Sequence, residues 1–177
     1  MPAVFDTVIV GGGIAGASLA YFLSPHRSVL ILEKESQSGY HSTGRSAAEF
    51  TERFHSPVSG KLAKASYDFM VQPPKGFSQI ALLKRRGNLV IADHSKAHHL
   101  EQTFQKEHDG SSDLVWVTPK QALEMVPLLR PDYLRAAFFD PDCWDIEVEN
   151  LLQGYLREAR NAGATLQTNS QVMALRR

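Results

Sequence analysis

The stretch VIVGGGIAGASLAYFLSPHRSVLILEKE, residues 8–35, places a glycine cluster between two apolar runs. The β-branched run at residues 5–10 predicts a buried strand that ends at glycine. Residues 14–23 predict a helix, and residues 28–32 predict a second buried strand. Two continuous apolar strands joined by a helix indicate a βαβ unit in a parallel sheet that is covered on both faces.

Gly11, Gly13 and Gly16 have the spacing G-x-G-x-x-G between the predicted strand and helix. The first glycine permits a tight turn, the second lets the backbone approach a pyrophosphate, and the third lets helix and strand pack closely. Glu33 follows about 20 residues later, where a carboxylate accepts hydrogen bonds from ribose hydroxyls. Because this carboxylate would repel a 2′-phosphate, the pattern predicts a dinucleotide site that disfavours NADP. It leaves NAD and FAD open.

A second informative stretch, GYHSTGRSAAEF, spans residues 39–50 and predicts a polar loop that enters a helix at Arg45. With the glycine cluster it resembles the D-amino-acid oxidase superfamily of FAD enzymes, and is most similar to bacterial D-amino-acid dehydrogenases of the D-arginine dehydrogenase type. The resemblance covers essentially the whole chain. The other segments that carry it are LEKE, PPKGF, EMVPLLR, YLRAAFFDPD and QGYLREARNAGA.

The resemblance implies FAD as the cofactor and a set of residues that bind it. The expected FAD-binding residues are Gly11, Gly13, Ile14, Ala15, Glu33, Lys34, His41, Ser42, Thr43, Ser46, Ala47 and Val172. It also implies an oxidoreductase that acts on an amine, with a D-amino acid as the expected substrate. A hydride would pass from Cα to flavin N5, and water would convert the imine to a 2-oxo acid and ammonia. The redox chemistry belongs to the flavin, and no catalytic base is identified among these residues.

The chain departs from its D-arginine-preferring relatives at three positions. Glu49 stands where they carry a histidine, Asn88 where they carry a glutamate suited to a cationic side chain, and Phe54 where they carry a tyrosine. Arginine is therefore not carried over as the substrate. Glu49, Arg53, Phe54 and Asn88 are the candidates for a substrate pocket, and each has a core or surface role as its alternative.

Members of the resembled family are longer than this chain. By resemblance, the remaining half supplies further sheet strands and the arginine and tyrosine that bind the substrate carboxylate. A polypeptide equivalent to that C-terminal half is therefore an expected partner, beside the small amine or amino-acid substrate. Two alternatives stay open: a related flavoenzyme that acts on glycine, sarcosine or a 2-hydroxy acid, and a non-catalytic nucleotide-binding fragment.

The pattern of elements predicts an α/β fold. A Rossmann-type FAD-binding domain, residues 1–79 and 146–177, is expected to be interrupted by part of a β-rich α+β substrate-binding domain, residues 80–145. The further predicted helices are 45–54, 57–70, 94–108, 119–125 and 146–161. The further predicted strands are 80–83, 88–92, 114–117, 134–139, 164–168 and 171–175.

The composition narrows the function class. Lys and Arg together number 19, as do Asp and Glu, so the basic excess typical of nucleic-acid-binding proteins is absent. The single cysteine, Cys143, cannot form an internal disulfide and indicates a reducing compartment. The sequence predicts neither a membrane-spanning helix nor a metal site. We expect a cytoplasmic protein, and peripheral contact with the inner membrane stays an open alternative.

Overall fold

The computed structural model of the chain describes residues 4–53, 56–108 and 113–176. These residues form two compact units. The first unit lies within residues 1–48, 68–82 and 146–177, and the second within 49–67 and 83–145. The division made from the sequence differs at two places: it put residues 49–67 in the first domain and residues 80–82 in the second.

The described residues contain five α-helices and nine strands. In chain order they are β1 (Thr7–Val10), α1 (Ile14–Leu23), β2 (Val29–Leu32), β3 (Glu49–Phe50), α2 (Pro57–Val71), β4 (Leu83–Arg85), β5 (Asn88–Ala92), α3 (Ala97–Glu107), β6 (Val115–Val117), α4 (Pro119–Met125), β7 (Ala136–Asp140), β8 (Trp144–Ile146), α5 (Val148–Asn161) and β9 (Thr165–Gln167). The predicted α/β class with a parallel sheet is confirmed. None of the described helices has the length and apolar character needed to cross a bilayer.

The first unit is built on a parallel sheet in the order β1-β2-β9. Val29 and Ile31 of β2 are buried, whereas Leu30 and Leu32 are half-buried and Val8 and Val10 of β1 are exposed. Among the described residues the sheet is therefore fully covered on one face only, and not on both faces as the two apolar strands predicted. Helix α1 presents Ala17 and Ala20, both fully buried, toward the interior. Small side chains at these positions let its backbone pack closely.

Helix α5 contributes the other main part of this core. Its buried face consists of Leu151, Leu152, Gly154, Tyr155, Leu156 and Ala159, as its helical periodicity predicts. A Cβ atom on Gly154 would lie 2.5 Å from the ring of Phe77, so glycine is what admits this ring. Phe77 in turn meets the Tyr155 ring edge-on at a centroid distance of 5.0 Å, and burial raises the pKa of Tyr155 to about 12.

The second unit contains two small sheets. In the first, β7 pairs antiparallel with both β5 and β6, and one face of this sheet buries Leu100, Phe104 and Phe138. Helix α4 covers the other face with Ala122 and begins with a capping box between Thr118 and Gln121. The second sheet has the order β3-β8-β4.

The helix predicted over residues 45–54 is wrong. The chain instead makes a short 3₁₀ turn at Thr43–Arg45 and then enters strand β3. Ala48 has a φ of 55°, in the left-handed region that a continuing right-handed helix excludes. Its N–H donates to Ser46 Oγ at 3.0 Å, so a local side-chain bond competes with the helical pattern.

The strand predicted over residues 171–175 is also wrong, since no strand forms in this described segment. The chain turns just before it, where Asn169 has a φ of 53°. The N–H groups of Asn169 and Ser170 donate to the carbonyls of Glu35 and Glu33. The segment after β9 therefore bends around the end of β2, and an apolar alternation alone did not reveal that bend.

Candidate functional site

The glycine turn, residues 11–13 between β1 and α1, packs closely against β2 and α1. The Gly11 N–H donates to the Leu32 carbonyl at 2.8 Å, and Gly11 has a φ of 105°, which favours glycine. A Cβ atom on Gly16 would lie 2.0 Å from the Gly11 carbonyl oxygen. Two of the fingerprint glycines are thus required by backbone geometry.

At its N-terminus, helix α1 has backbone N–H groups that are not bonded within the helix. Gly13 is the N-cap residue and has no side chain to accept a hydrogen bond. The Ile14 N–H donates to Thr43 Oγ1 at 3.0 Å, so the loop after β2 supplies one acceptor. The other N–H groups of a first turn lack intrahelical partners, and together with the helix dipole they favour an anion.

Glu33 is buried at the end of β2, with 7% of its surface exposed. Its Oε2 accepts from the Gly12 N–H at 2.7 Å, and its Oε1 accepts from the Glu35 N–H at 3.0 Å. A carboxylate has about four acceptor positions. Glu33 therefore fixes the glycine turn and retains acceptor capacity for ribose hydroxyls.

Several charged side chains lie in the loop that follows Glu33. The Glu35 carboxylate lies 2.7 Å from His41 Nε2 and 3.5 Å from Lys34 Nζ. The hydrogen bond from His41 lowers the pKa of Glu35, and Lys34 adds to the effect. The Arg45 guanidinium lies 5.4 Å from the centre of the Tyr40 ring, a cation–π contact in the same loop.

These parts surround one cavity of about 510 Å³, a volume typical of small-molecule sites. Ten of the predicted cofactor-binding residues line it: Gly11, Gly13, Ile14, Ala15, Glu33, Lys34, His41, Ser42, Thr43 and Val172. Ser46 and Ala47 are not among its lining residues. The Ser46 N–H turns back to the Thr43 carbonyl.

Seven further residues line the cavity and were not predicted from the sequence, namely Val10, Gly16, Leu32, Gly39, Tyr40, Ser170 and Gln171. Gly16 belongs to the fingerprint itself, and Gly39 and Tyr40 begin the second motif, so proximity to those motifs was the available signal. Ser170 and Gln171 reach the cavity through the bend after β9. No sequence pattern indicated that bend.

Glu49, a substrate-pocket candidate in the second unit, is engaged by an arginine. Glu49 and Asp145 lie opposite each other in the β3–β8 pair, where like charges repel. Arg86 donates to Asp145 at 2.7 Å and to Glu49 at 3.0 Å and so offsets both charges. Cys143 Sγ lies 3.7 Å from the same guanidinium, and burial raises the pKa of its thiol.

Arg53 is the candidate that lines a cavity of this unit. Its Nη1 donates at 2.7 Å to Asp140, whose side chain is fully buried. The cavity, of about 390 Å³, is lined by Phe50, Glu52, Arg53, Tyr67, Arg85, Asp142 and Trp144. Asn88 is not among these residues and pairs with Asp140 across β5 and β7. Phe54 lies outside the described residues.

The chain is similar to known proteins over most of its length. A family model described as FAD dependent oxidoreductase (DAO) matches residues 6–177. Mitochondrial dimethylglycine dehydrogenase of Homo sapiens is 28% identical over 97% of this chain. Sarcosine oxidase subunit beta of Arthrobacter sp. is 25% identical over 95%. The crystal structure of glycine oxidase from Geobacillus kaustophilus superimposes with a TM-score of 0.82 and 25% identity over 97% of the chain.

The chain spans only part of each of these relatives. It covers 20% of the dimethylglycine dehydrogenase, 44% of the sarcosine oxidase subunit and 48% of the glycine oxidase chain. The similarity therefore describes the portion that carries the glycine turn and the cavity, and it leaves the activity of a whole enzyme to be proposed.

Proposed function

The chain belongs to the DAO family of FAD-dependent oxidoreductases, and we propose that it forms the cofactor-binding part of an enzyme that oxidises the C–N bond of an amino acid. The family and the FAD cofactor predicted from the sequence are both confirmed. The proposal rests on one observation: a single cavity unites the glycine turn, the Glu33 carboxylate and the Tyr40–Thr43 loop.

The residues present fit the nucleotide end of FAD. The glycine turn has no side chain over the N-terminus of α1, where a pyrophosphate is stabilised by N–H groups and the helix dipole. Glu33 lies at the same cavity with acceptor capacity for ribose hydroxyls. Thr43 Oγ1, now bonded to the Ile14 N–H, is a further polar group on this path.

The chemistry divides between cofactor and protein. When bound, FAD accepts the electron pair and hydrogen that leave the carbon next to the amine nitrogen. The described residues hold the nucleotide by its phosphates and ribose and fix its orientation. They place the Glu33 carboxylate where a 2′-phosphate would be repelled, which selects against NADP.

We favour a D-amino acid as substrate, because the segments of residues 39–50 and 73–77 resemble D-amino-acid dehydrogenases. A second candidate is glycine or an N-methylated glycine, and the relatives whose names specify dimethylglycine, sarcosine and glycine favour it. With Glu49 bonded to Arg86, its carboxylate is not free to select a cationic side chain. The proposed substrate is therefore an amino acid without a cationic side chain.

A two-step measurement tests the proposal. The purified chain is first titrated with FAD and followed by quenching of flavin fluorescence, with an E33A variant as the control for the site. Substrates are then added anaerobically, both to the chain alone and with a polypeptide that supplies the C-terminal half of a glycine oxidase. Matched D- and L-amino acids, glycine, sarcosine and dimethylglycine form the panel.

Bleaching of the flavin by D- but not L-amino acids is the expected result. If only sarcosine or dimethylglycine bleached the flavin, the D-amino acid would be the wrong substrate and the second candidate would take its place. A chain that does not bind FAD would contradict the proposal itself.

A further inference from the structure

The Ser38 hydroxyl is buried beside the glycine turn without a partner. Its Oγ is inaccessible to solvent and makes no hydrogen bond with any of the residues that the structure describes. A buried hydroxyl without a partner destabilises the folded state, so such a group calls for a physical reason.

The position of this hydroxyl relates it to Glu33. A Cβ atom placed on Gly12 would lie 2.7 Å from Ser38 Oγ and 3.3 Å from Glu33 Oε2. The two oxygens therefore lie on the same side of Gly12, at the place where the side chain of any other residue at position 12 would press on both. Bringing the hydroxyl and the carboxylate within hydrogen-bond distance requires a rotation between staggered side-chain rotamers of Ser38 or Glu33.

The Glu33 carboxylate can accept a further hydrogen bond. Its carboxylate already accepts from the N–H groups of Gly12 and Glu35, which hold it at the edge of the nucleotide cavity. A carboxylate has about four acceptor positions, so about two remain for a ribose hydroxyl and for the Ser38 hydroxyl. A hydrogen bond to a carboxylate is charge-assisted and therefore stronger than a neutral one.

We propose that Ser38 is a positioning residue for the nucleotide ribose, and that its hydroxyl donates to the Glu33 carboxylate when the ribose binds. The inference rests on the proposed nucleotide site and assigns to it one residue outside the fingerprint and outside the cavity lining. A donor left unsatisfied in the nucleotide-free chain and satisfied in the complex adds its hydrogen bond to binding rather than to folding.

The experiment compares ADP with 2′-deoxy-ADP on the unmodified chain, on Ser38→Ala and on Ser36→Ala. Ser36 is an exposed serine of the same loop and serves as the matched control. Affinities are measured by calorimetry, and the melting temperature of each nucleotide-free chain is recorded. The two nucleotides and the two forms of residue 38 make a double-mutant cycle that isolates their coupling.

The unmodified chain is expected to prefer ADP over 2′-deoxy-ADP by about tenfold, the effect of one hydrogen bond to a charged group. In Ser38→Ala, ADP affinity should fall about fivefold and the preference should shrink to about twofold. The melting temperature should stay the same or rise, because the variant removes a buried hydroxyl without a partner. Ser36→Ala should leave all three quantities unchanged.

Two results would overturn the inference, and they differ from each other. If Ser38→Ala lost the same amount of affinity for ADP and for 2′-deoxy-ADP, or lost affinity for neither, Ser38 would not act through the ribose. Failure of the unmodified chain to bind ADP would count against the nucleotide site, and this inference would fail with it.

Discussion

The glycine turn of the first unit and the β3–β8–β4 sheet of the second unit both gather polar groups, but they satisfy them differently. Around the glycine turn, backbone N–H groups and one buried carboxylate border an open cavity. Along the β3–β8–β4 sheet, Arg86 is bonded to Glu49 and Asp145, and Arg53, which follows β3 in the chain, is bonded to Asp140 of β7. The first region leaves acceptors and donors for a ligand, whereas the second uses its charges internally.

This difference predicts how the two regions respond to substitution. A preorganised site with residual donors contributes to ligand affinity, so changes there should lower affinity more than stability. Internal ion pairs contribute to folding, and breaking a buried one leaves an uncompensated charge. Variants in the second region should therefore lower stability while leaving nucleotide affinity unchanged.

The largest effect is expected for Arg53→Met. Asp140 is fully buried, its Oδ1 accepts from Arg53, and its Oδ2 has no partner among the described residues. Removal of the guanidinium leaves a buried carboxylate without a counter-charge, and we expect a loss of about 3 kcal/mol in the free energy of unfolding. Urea denaturation measures it. ADP affinity should not change.

The exposed Arg130–Asp132 pair supplies the control for that variant. Its side chains are 77% and 66% exposed, so Arg130→Met should leave the urea midpoint unchanged, because water screens the pair. Equal losses in Arg53→Met and Arg130→Met would show that burial does not set the strength of the Arg53 pair.

Gly16→Ala is expected to be the most damaging single change among the fingerprint glycines. Its Cβ would lie 2.0 Å from a backbone oxygen, and the shift needed to relieve this overlap should destabilise the chain by about 2–3 kcal/mol. The displaced turn should also abolish nucleotide binding. Gly76→Ala is the comparison, since a Cβ there meets nothing within 4 Å and only the φ of 87° opposes it.

For Gly76→Ala we expect a loss of about 1 kcal/mol from the left-handed backbone and no change in nucleotide affinity. Thermal unfolding followed by circular dichroism measures the loss of stability in both variants. If Gly16→Ala retained the affinity of Gly76→Ala, close packing of the turn would not be what shapes the site.

The sequence predicted the glycine turn and its cavity residues better than the loops that complete them. Spacing sufficed for Gly11 and Gly16, because their roles follow from local backbone geometry. It sufficed for Glu33 because the βαβ unit brings the end of β2 beside the turn that ends β1. The predicted helix after Arg45 failed, because a left-handed residue at Ala48 is not visible in a pattern of small side chains. The contribution of Ser170 depends on a bond to Glu33 across the chain, and no local signal encodes it.

Glu33→Gln should produce the next largest effect. A glutamine offers one side-chain oxygen, so either the Gly12 or the Glu35 N–H would face an amide NH₂ group. We expect ADP affinity to fall about tenfold, or about 1.4 kcal/mol, and discrimination against 2′-phospho-ADP to weaken because the repelling charge is gone. Calorimetry with both nucleotides measures this, and Glu101→Gln on α3 is the control.

An unchanged ratio of the two affinities in Glu33→Gln would mean that the carboxylate charge does not select against the 2′-phosphate. The retained preference for ADP over 2′-phospho-ADP would then have to come from another residue of the cavity.

Thr43→Val tests the acceptor that the loop offers to α1. The substitution keeps the side-chain volume and removes the oxygen that accepts from the Ile14 N–H. Loss of such a bond at a helix start is expected to lower the free energy of unfolding by about 1 kcal/mol. Chemical denaturation measures it, with Thr103→Val on α3 as a control for the hydroxyl itself. Equal losses at the two threonines would show that the Ile14 bond has no special weight.

The smallest effect concerns the loop charges. The hydrogen bond from His41 lowers the pKa of Glu35, so the pair stabilises the folded chain above the ordinary pKa of a glutamate. That contribution disappears as the pH falls through the lowered pKa. In His41→Ala the pKa of Glu35 should rise toward its ordinary value, and NMR titration of the carboxyl carbon measures this. The rise should be incomplete, because Lys34 remains 3.5 Å from the carboxylate. A pKa unchanged in His41→Ala would assign the shift to Lys34 instead, and would make the loop depend on charge proximity rather than on a directed hydrogen bond.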